Sequence, residues 1–268
     1  MRLLVVCAPG IGDALIMHIA SHHLAQAGFD VITDTSHNFG RWLEDYQFGN
    51  TDADAVFLQH DNSEKAKQIH GLNKPIYTFY GSHKESKHGP LREGFDYVCD
   101  PNLTMVANVA ASLKSLFQIN ASFDNGMRAP ANLTHRKYRN RVAIHPSSSS
   151  ESKNWPLEKY QKVANWLKLR GYEPVFIPKL PSIDDLCSFI YESGYFIGND
   201  SGPGHIASIL NIPHLIVGPS KKQMLLWRPG WARGEIALPP SWAPKKYWKQ
   251  LTTTIKVIKA LKNKVLQN

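Results

Sequence analysis

Tyr195-Phe196-Ile197-Gly198-Asn199-Asp200-Ser201-Gly202-Pro203-Gly204-His205 reads as a buried strand, a tight turn and the start of a helix. Tyr195–Gly198 is short and apolar, as a strand covered on both faces must be. Glycine and Pro203 interrupt it, and Gly204–Leu210 resumes at helical spacing. Where a helix begins, its first backbone N–H groups lack intrahelical partners and carry partial positive charge. Glycine lets an anion approach those amides closely, and Ser201 adds a hydroxyl donor. Asp200 either ties the turn together or accepts from a ribose or sugar hydroxyl. The plain alternative is a capped turn with Asp200 or Ser201 as N-cap.

The same alternation runs outward in both directions. Upstream, Val142–His145 is a strand, Pro156–Arg170 a helix stopped by Gly171, Glu173–Ile177 a strand and Ser182–Glu192 a helix. Downstream, Pro213–Val217 is a strand. In the first half, strands are expected at Leu3–Ala8, Phe29–Thr33, Ala55–Gln59, Pro75–Phe79 and Tyr97–Cys99. Helices are expected at Ala14–Ala27 and Asn102–Phe117, with Asn102 available as N-cap. Strands alternating with helices imply parallel βαβ units with right-handed crossovers. Leu133–Arg141 is rich in Arg and Lys and poor in apolar residues, and reads as a linker between two blocks. The fold class is therefore α/β: two Rossmann-like lobes with parallel sheets facing a central cleft. The N-terminal lobe spans 1–134, the C-terminal lobe 135–250, and a basic helix at 251–268 packs back on the lobes. Ligands of such sheets sit at the carboxyl ends of the strands.

Composition narrows the class. Of the 268 residues, 43% are hydrophobic, enough to bury a core rather than remain disordered. Cys7, Cys99 and Cys187 are odd in number and far apart, which excludes a disulfide framework or zinc spacing and favours a reducing cytoplasm. The apolar run at the N-terminus is too short for a signal segment, and no stretch approaches a membrane span. The net charge of +9 favours anionic partners.

Two other turns carry chemistry. Ile144-His145-Pro146-Ser147-Ser148-Ser149-Ser150-Glu151-Ser152-Lys153-Asn154-Trp155-Pro156 also leaves a strand for a helix. Hydroxyls, backbone amides and the Lys153 ammonium make a phosphate cradle without a Walker pattern; a merely flexible serine loop is the alternative. In a parallel sheet this loop and Gly198–His205 open at the same edge. Pro9-Gly10-Ile11-Gly12-Asp13 follows the first strand but lacks the third glycine of the dinucleotide fingerprint. Asp13 there is either a helix N-cap or a general base for a hydroxyl nucleophile.

Three motifs together resemble glycosyltransferase family nine, the heptosyltransferases of lipopolysaccharide synthesis: Gly10-x-Gly12-Asp13, His145…Lys153-Asn154-Trp155-Pro156, and Gly198-Asn199-Asp200-Ser201-Gly202-Pro203-Gly204-His205-Ile206-Ala207. They keep the family's order across nearly the whole chain, with Ile206 where the family pattern has leucine. The resemblance implies a GT-B architecture and a metal-independent, inverting transfer from a nucleotide-diphosphate sugar. It implies Asp13 as catalytic base, beside the acceptor-side glycines Gly10 and Gly12. It implies Lys153 as the cation that neutralises the leaving diphosphate. His145, Ser147, Ser148, Asn199, Asp200, Ser201, Gly202 and His205 would contact the donor. No cofactor is implied beyond the donor itself, ADP-linked by resemblance. The acceptor would be an anionic glycan or glycolipid, reached from the cytoplasm with possible peripheral binding at the inner face of the membrane, and nucleic acid is not a partner.

One feature departs from that pattern. Pro178-Lys179-Leu180-Pro181 stands where relatives carry a longer loop towards the base and ribose. It motivates an alternative, a catalytically impaired GT-B-like nucleotide-binding or assembly protein. Asp52-Ala53-Asp54 matches a short metal-binding pattern that is frequent by chance. His18, His22 and His23 lack the acidic partner of a zinc motif and read as a solvated or partly buried histidine face.

Overall fold

Leu3, Val5 and Val6 are almost wholly shielded from solvent, as a strand covered on both faces requires. In the computed structural model, which describes residues 1–44, 46–49 and 52–266, they belong to β1 (Arg2–Val6). It is followed by α1 (Ile11–Gln26), β2 (Asp30–Asp34), β3 (Gln47–Phe48), β4 (Ala55–His60), α2 (Glu64–His70), β5 (Ile76–Tyr80), α3 (Glu85–His88), β6 (Asp96–Val98) and α4 (Met105–Phe117). These strands form one parallel sheet in the order β3-β2-β1-β4-β5-β6. The order reverses between β1 and β4, the position where such sheets open a crevice for ligand. Ala66 and Ile69 of α2 pack on Val56, Leu58 and Ile76 of one face. On α1, residues Ala14–Ser21 are buried without a break, so the helix has lost any polar stripe.

The second unit repeats the plan. It holds β7 (Tyr138–His145), α5 (Leu157–Lys168), β8 (Glu173–Phe176), α6 (Ile183–Glu192), β9 (Ser193–Asn199), α7 (Gly202–Ile209), β10 (His214–Val217), α8 (Lys221–Trp227), β11 (Glu235–Ala237), α9 (Trp248–Leu251) and α10 (Thr254–Ala260). Its sheet is parallel in the order β11-β10-β9-β7-β8, reversing between β7 and β9. The α/β reading with two parallel sheets is therefore correct.

Three expectations need correction. The two units are Met1–Arg128 and Ala129–Asn268, so the division falls before Leu133, and Tyr138–Arg141 belongs to β7 rather than to a linker. The charged run is tolerated there because the strand enters from solvent and Arg141 lies over the Tyr138 ring, 3.7 Å from its centroid. Asn102 does not cap α4: Thr104 does, accepting from Ala107 N at 3.2 Å, while Asn102 donates to Asp100. The basic tail is not one continuous helix. Thr253 restarts it, accepting from Lys256 N. Val257, Leu261 and Val265 of the tail enter the core of the second unit, while Lys256, Lys259, Lys262 and Lys264 stay exposed.

Candidate active site

In the first unit, α1 begins at Ile11 with Gly10 as its N-cap, so Asp13 falls in the first turn and is not the cap. Its Oδ1 accepts from Gln59 Nε2 at 2.6 Å. Gln59 lies in β4 across the β1/β4 reversal, and its Oε1 accepts from Ala8 N at 3.0 Å. One buried amide therefore reads the end of β1 with its oxygen and orients the Asp13 carboxylate with its nitrogen. Gly10 is required by that carboxylate: a Cβ there would collide with Asp13 Oδ2. Gly12 lies half-buried in the same helical turn. Beside them a small pocket of about 210 Å³ is lined by Pro9, Cys7, Gln59 and Lys65 among others. Burial, reinforced by Asp13 and Asp34, pushes the Cys7 thiol up, so it is a neutral wall.

In the second unit, the turn after β9 and the loop after β7 meet across the β7/β9 reversal. Lys153 Nζ lies 3.3 Å from Asp200 Oδ2. Asp200 is 4% exposed, whereas the Lys153 side chain is 39% exposed and so remains open to an incoming anion. Gln223 Nε2 also donates to Asp200 Oδ2, at 3.3 Å. Ser201 is the N-cap of α7 but makes no capping bond; its hydroxyl points back to Asn199 O at 3.4 Å. Gly202 opens the helix, Pro203 behind it has no N–H, and Gly204 N donates to Ser201 O at 3.0 Å, so Gly202 supplies the backbone N–H left at this end.

Two residues expected to face the donor are turned inward. Asn199 is wholly buried: its Oδ1 accepts from Trp155 N at 3.0 Å and Tyr160 Oη at 2.8 Å, and its Nδ2 donates to Pro146 O at 2.6 Å. It staples the turn after β9 to the serine loop. Ser148 donates to Asn154 Oδ1 at 2.7 Å and Ser150 O at 2.8 Å, which shapes the loop from within. A side chain with this many internal partners has little capacity left for a ligand. Trp155 is likewise structural, donating from Nε1 to Thr252 O at 2.9 Å. Ser147 is exposed and free to face a ligand.

The two histidines are neutral. His145 ends β7 half-buried, and burial lowers its pKa against a backbone hydrogen bond at Ser147 that raises it. His205, in the first turn of α7, sits edge-on to Trp231, and burial pushes it down to about 4 despite Asp200. The Nδ1 atoms of both are buried without a hydrogen-bond partner among the described residues. Gln59 was missed by sequence reading. The signal was present: it is the one amide in the apolar run Ala55-Val56-Phe57-Leu58-Gln59.

Asp52 pairs with Lys74 at 2.5 Å and Asp54 accepts from Arg2 N at 2.7 Å, so these two carboxylates serve different partners. His18 is fully buried among Phe39, Tyr46 and Phe48.

Two parallel sheets with a polar contact across each reversal define the class: this is the fold of GT-B glycosyltransferases. Residues 104–182 match the model of glycosyltransferase family 9 (heptosyltransferase), in agreement with the motif resemblance. Over 100% of this chain and 99% of its own, ADP-heptose lipopolysaccharide heptosyltransferase II of E. coli superposes with a TM-score of 0.69 at 16% identity. E. coli heptosyltransferase WaaC, solved with ADP-2-deoxy-2-fluoro heptose, gives 0.70 at 14% identity over 98% of this chain and 99% of that one. A family 9 glycosyl transferase of Veillonella parvula gives 0.70 at 16% identity over 100% and 98%. No curated protein matches by sequence.

Proposed function

We propose that this chain is a glycosyltransferase that moves a heptose or related sugar, with inversion and without a metal ion, from a nucleotide-diphosphate donor to a hydroxyl of an anionic glycan or glycolipid. The observation that carries this reading is the Lys153–Asp200 contact at the N-terminal end of α7, where a half-exposed ammonium stands beside the backbone N–H of Gly202. In the reaction the acceptor oxygen bonds to the anomeric carbon as the bond from that carbon to the phosphate oxygen breaks. The proton passes to the Asp13 carboxylate, and the charge left on the diphosphate falls to Lys153 and the Gly202 N–H. Ser147, Ser201 and Gly202 line the donor side. Asn199 and Ser148 serve it by holding the loop.

The donor is ADP-linked in this reading, because the WaaC structure contains an ADP-heptose analogue. The charge of +9 suits a phosphorylated or acidic acceptor. No helix among the described residues is long and apolar enough to cross a membrane. Exposed Trp242 and Tyr247 beside Lys245 and Lys246 suit peripheral contact at the cytoplasmic face.

The test is a panel of ADP-, UDP-, GDP- and TDP-sugars, scored first by thermal shift and then by transfer to a deacylated lipopolysaccharide core. The reading expects stabilisation and turnover with an ADP-sugar. Stabilisation without turnover on any acceptor would favour the impaired nucleotide-binding alternative.

A further inference from the structure

Gln59 and His60 are neighbours in β4, so their side chains leave opposite faces of the sheet. Gln59 meets Asp13. His60 enters a different cavity, of about 540 Å³, that the proposed transfer does not use. The cavity exists because the β5–β6 crossover carries only the short α3, none of whose residues is buried. The helical cover that α2 gives to β4 is therefore not continued over β5 and β6.

Imidazoles crowd this space. His60 Nδ1 lies 3.2 Å from His70 Nε2 on α2. The His60 and His88 rings are 5.0 Å apart, and His88 stacks on Tyr80 at 5.4 Å. His83 flanks His88 at 5.3 Å, while its Nε2 is taken by Gly89 O. Around them stand Lys67 on α2, Lys87 on α3 and Arg92 before β6. Three acidic groups stand nearby, of which only Asp96 is in the cavity wall. Asp96 is matched by Arg92 at 2.7 Å, Glu64 pairs with Lys67, and Asp61 accepts from Ser63. Lys87 donates only to a neutral partner, Asn62 Oδ1, at 2.5 Å.

Among the charged side chains that line the cavity, Lys67, Lys87 and Arg92 outnumber Asp96, which opposes a metal ion, and among the described residues no three histidine, cysteine or acidic side chains converge on one. We propose that this cavity is a second anion site that takes a phosphate-like dianion, with Lys87 as its fixed charge and the His60–His70–His88 cluster taking up a proton as the anion enters. It lies wholly in the first unit and does not depend on the transfer reading. In the empty cavity burial, then His70 and His88, push His60 down to about 4, and His70 and His88 are lowered as well. The imidazoles are then neutral near neutral pH. An anion raises their affinity for protons, so by linkage it binds more tightly as pH falls. Tyr80, raised by burial, stays protonated throughout, and Arg92 stays charged.

Sulfate is the suitable probe because its own charge does not change over the range. It is titrated into the full-length Lys153→Ala chain, which lacks the donor-side cation, by calorimetry and by imidazole NMR at about pH 6 and about pH 8. The expected result is a single site that is roughly tenfold tighter at the lower pH, with shifts in His60 and His88, and that Lys87→Gln weakens by roughly tenfold. Lys87 is exposed, so that variant is expected to fold. His88→Gln should reduce the pH dependence. Competition by inorganic phosphate and by a sugar phosphomonoester then shows the source: a tighter sugar phosphate points to a glycan, equal affinity to free phosphate. No saturable binding, a pH-independent affinity, or unchanged affinity in both variants would overturn the proposal. So would zinc shifting the imidazole signals where sulfate does not.

Discussion

The two units solve the same geometric problem with opposite charge. Each has a parallel sheet whose strand order reverses once, and in each a carboxylate accepts a hydrogen bond across that reversal. In the first unit the contact is neutral to anionic, the Gln59 amide on the Asp13 carboxylate. In the second it is cationic to anionic, Lys153 on Asp200. A carboxylate that accepts from a neutral amide stays an anion able to take a proton. A carboxylate buried against an ammonium is occupied, and leaves the half-exposed ammonium as the group that meets a ligand. On the proposed function, one fold thus supplies a base in one unit and an anion contact in the other.

If that contrast is right, the variants separate. Asp13→Ala should lower kcat by about 10²–10⁴, the usual contribution of a positioned general base. Full turnover in this variant would remove the base from the account. Lys153→Ala should cost about 10²–10³ in kcat/KM, and least with donors whose leaving group is intrinsically good. A loss independent of leaving group would mean that Lys153 only shapes its loop. Asn199→Ala strips buried partners from Trp155 N and Tyr160 Oη and should destabilise the chain by ~3 kcal/mol, read as a lower urea midpoint. Gln59→Leu should reduce kcat roughly tenfold with donor KM unchanged, since it frees Asp13 to rotate.

The smallest effect compares a buried histidine from each unit. His18 and His205 are both pushed down to about 4 by burial. A histidine lowered in the folded state costs nothing above its unfolded pKa of about 6.5. As pH falls through that value the unfolded chain takes a proton that the native chain refuses, and stability declines until about pH 4. The expected slope is at most about 1.4 kcal/mol per pH unit for each histidine. Replacing His18 with Leu should flatten the decline for the first unit alone, as followed by urea melts across that range.

Much of this was legible in the sequence. The alternation of apolar runs with helical spacing gave every strand of the two sheets except the short edge strands Gln47–Phe48 and Glu235–Ala237, which bury too little to leave a pattern. The motif order located Asp13, Lys153 and Asp200. What sequence did not show was direction. Asn199 and Ser148 are the same residue types whether they face a ligand or turn inward, and only the partners Trp155, Tyr160 and Asn154 decide. Gln59 was hidden for the converse reason: a polar residue in a buried strand acquires its role from a carboxylate far away in sequence. The charged run at Tyr138–Arg141 resembled a linker because stacking of guanidinium on an aromatic ring has no sequence period.

The most direct test of the division of labour is calorimetric titration of ADP into the wild-type chain and into Asp13→Ala and Lys153→Ala, with transfer assayed on the same samples. Asp13→Ala should bind ADP as the wild type does while transferring sugar about 10²–10⁴ more slowly, and Lys153→Ala should bind it at least roughly tenfold more weakly. Weakened ADP binding in Asp13→Ala, with wild-type binding in Lys153→Ala, would contradict the assignment of base to the first unit and diphosphate to the second.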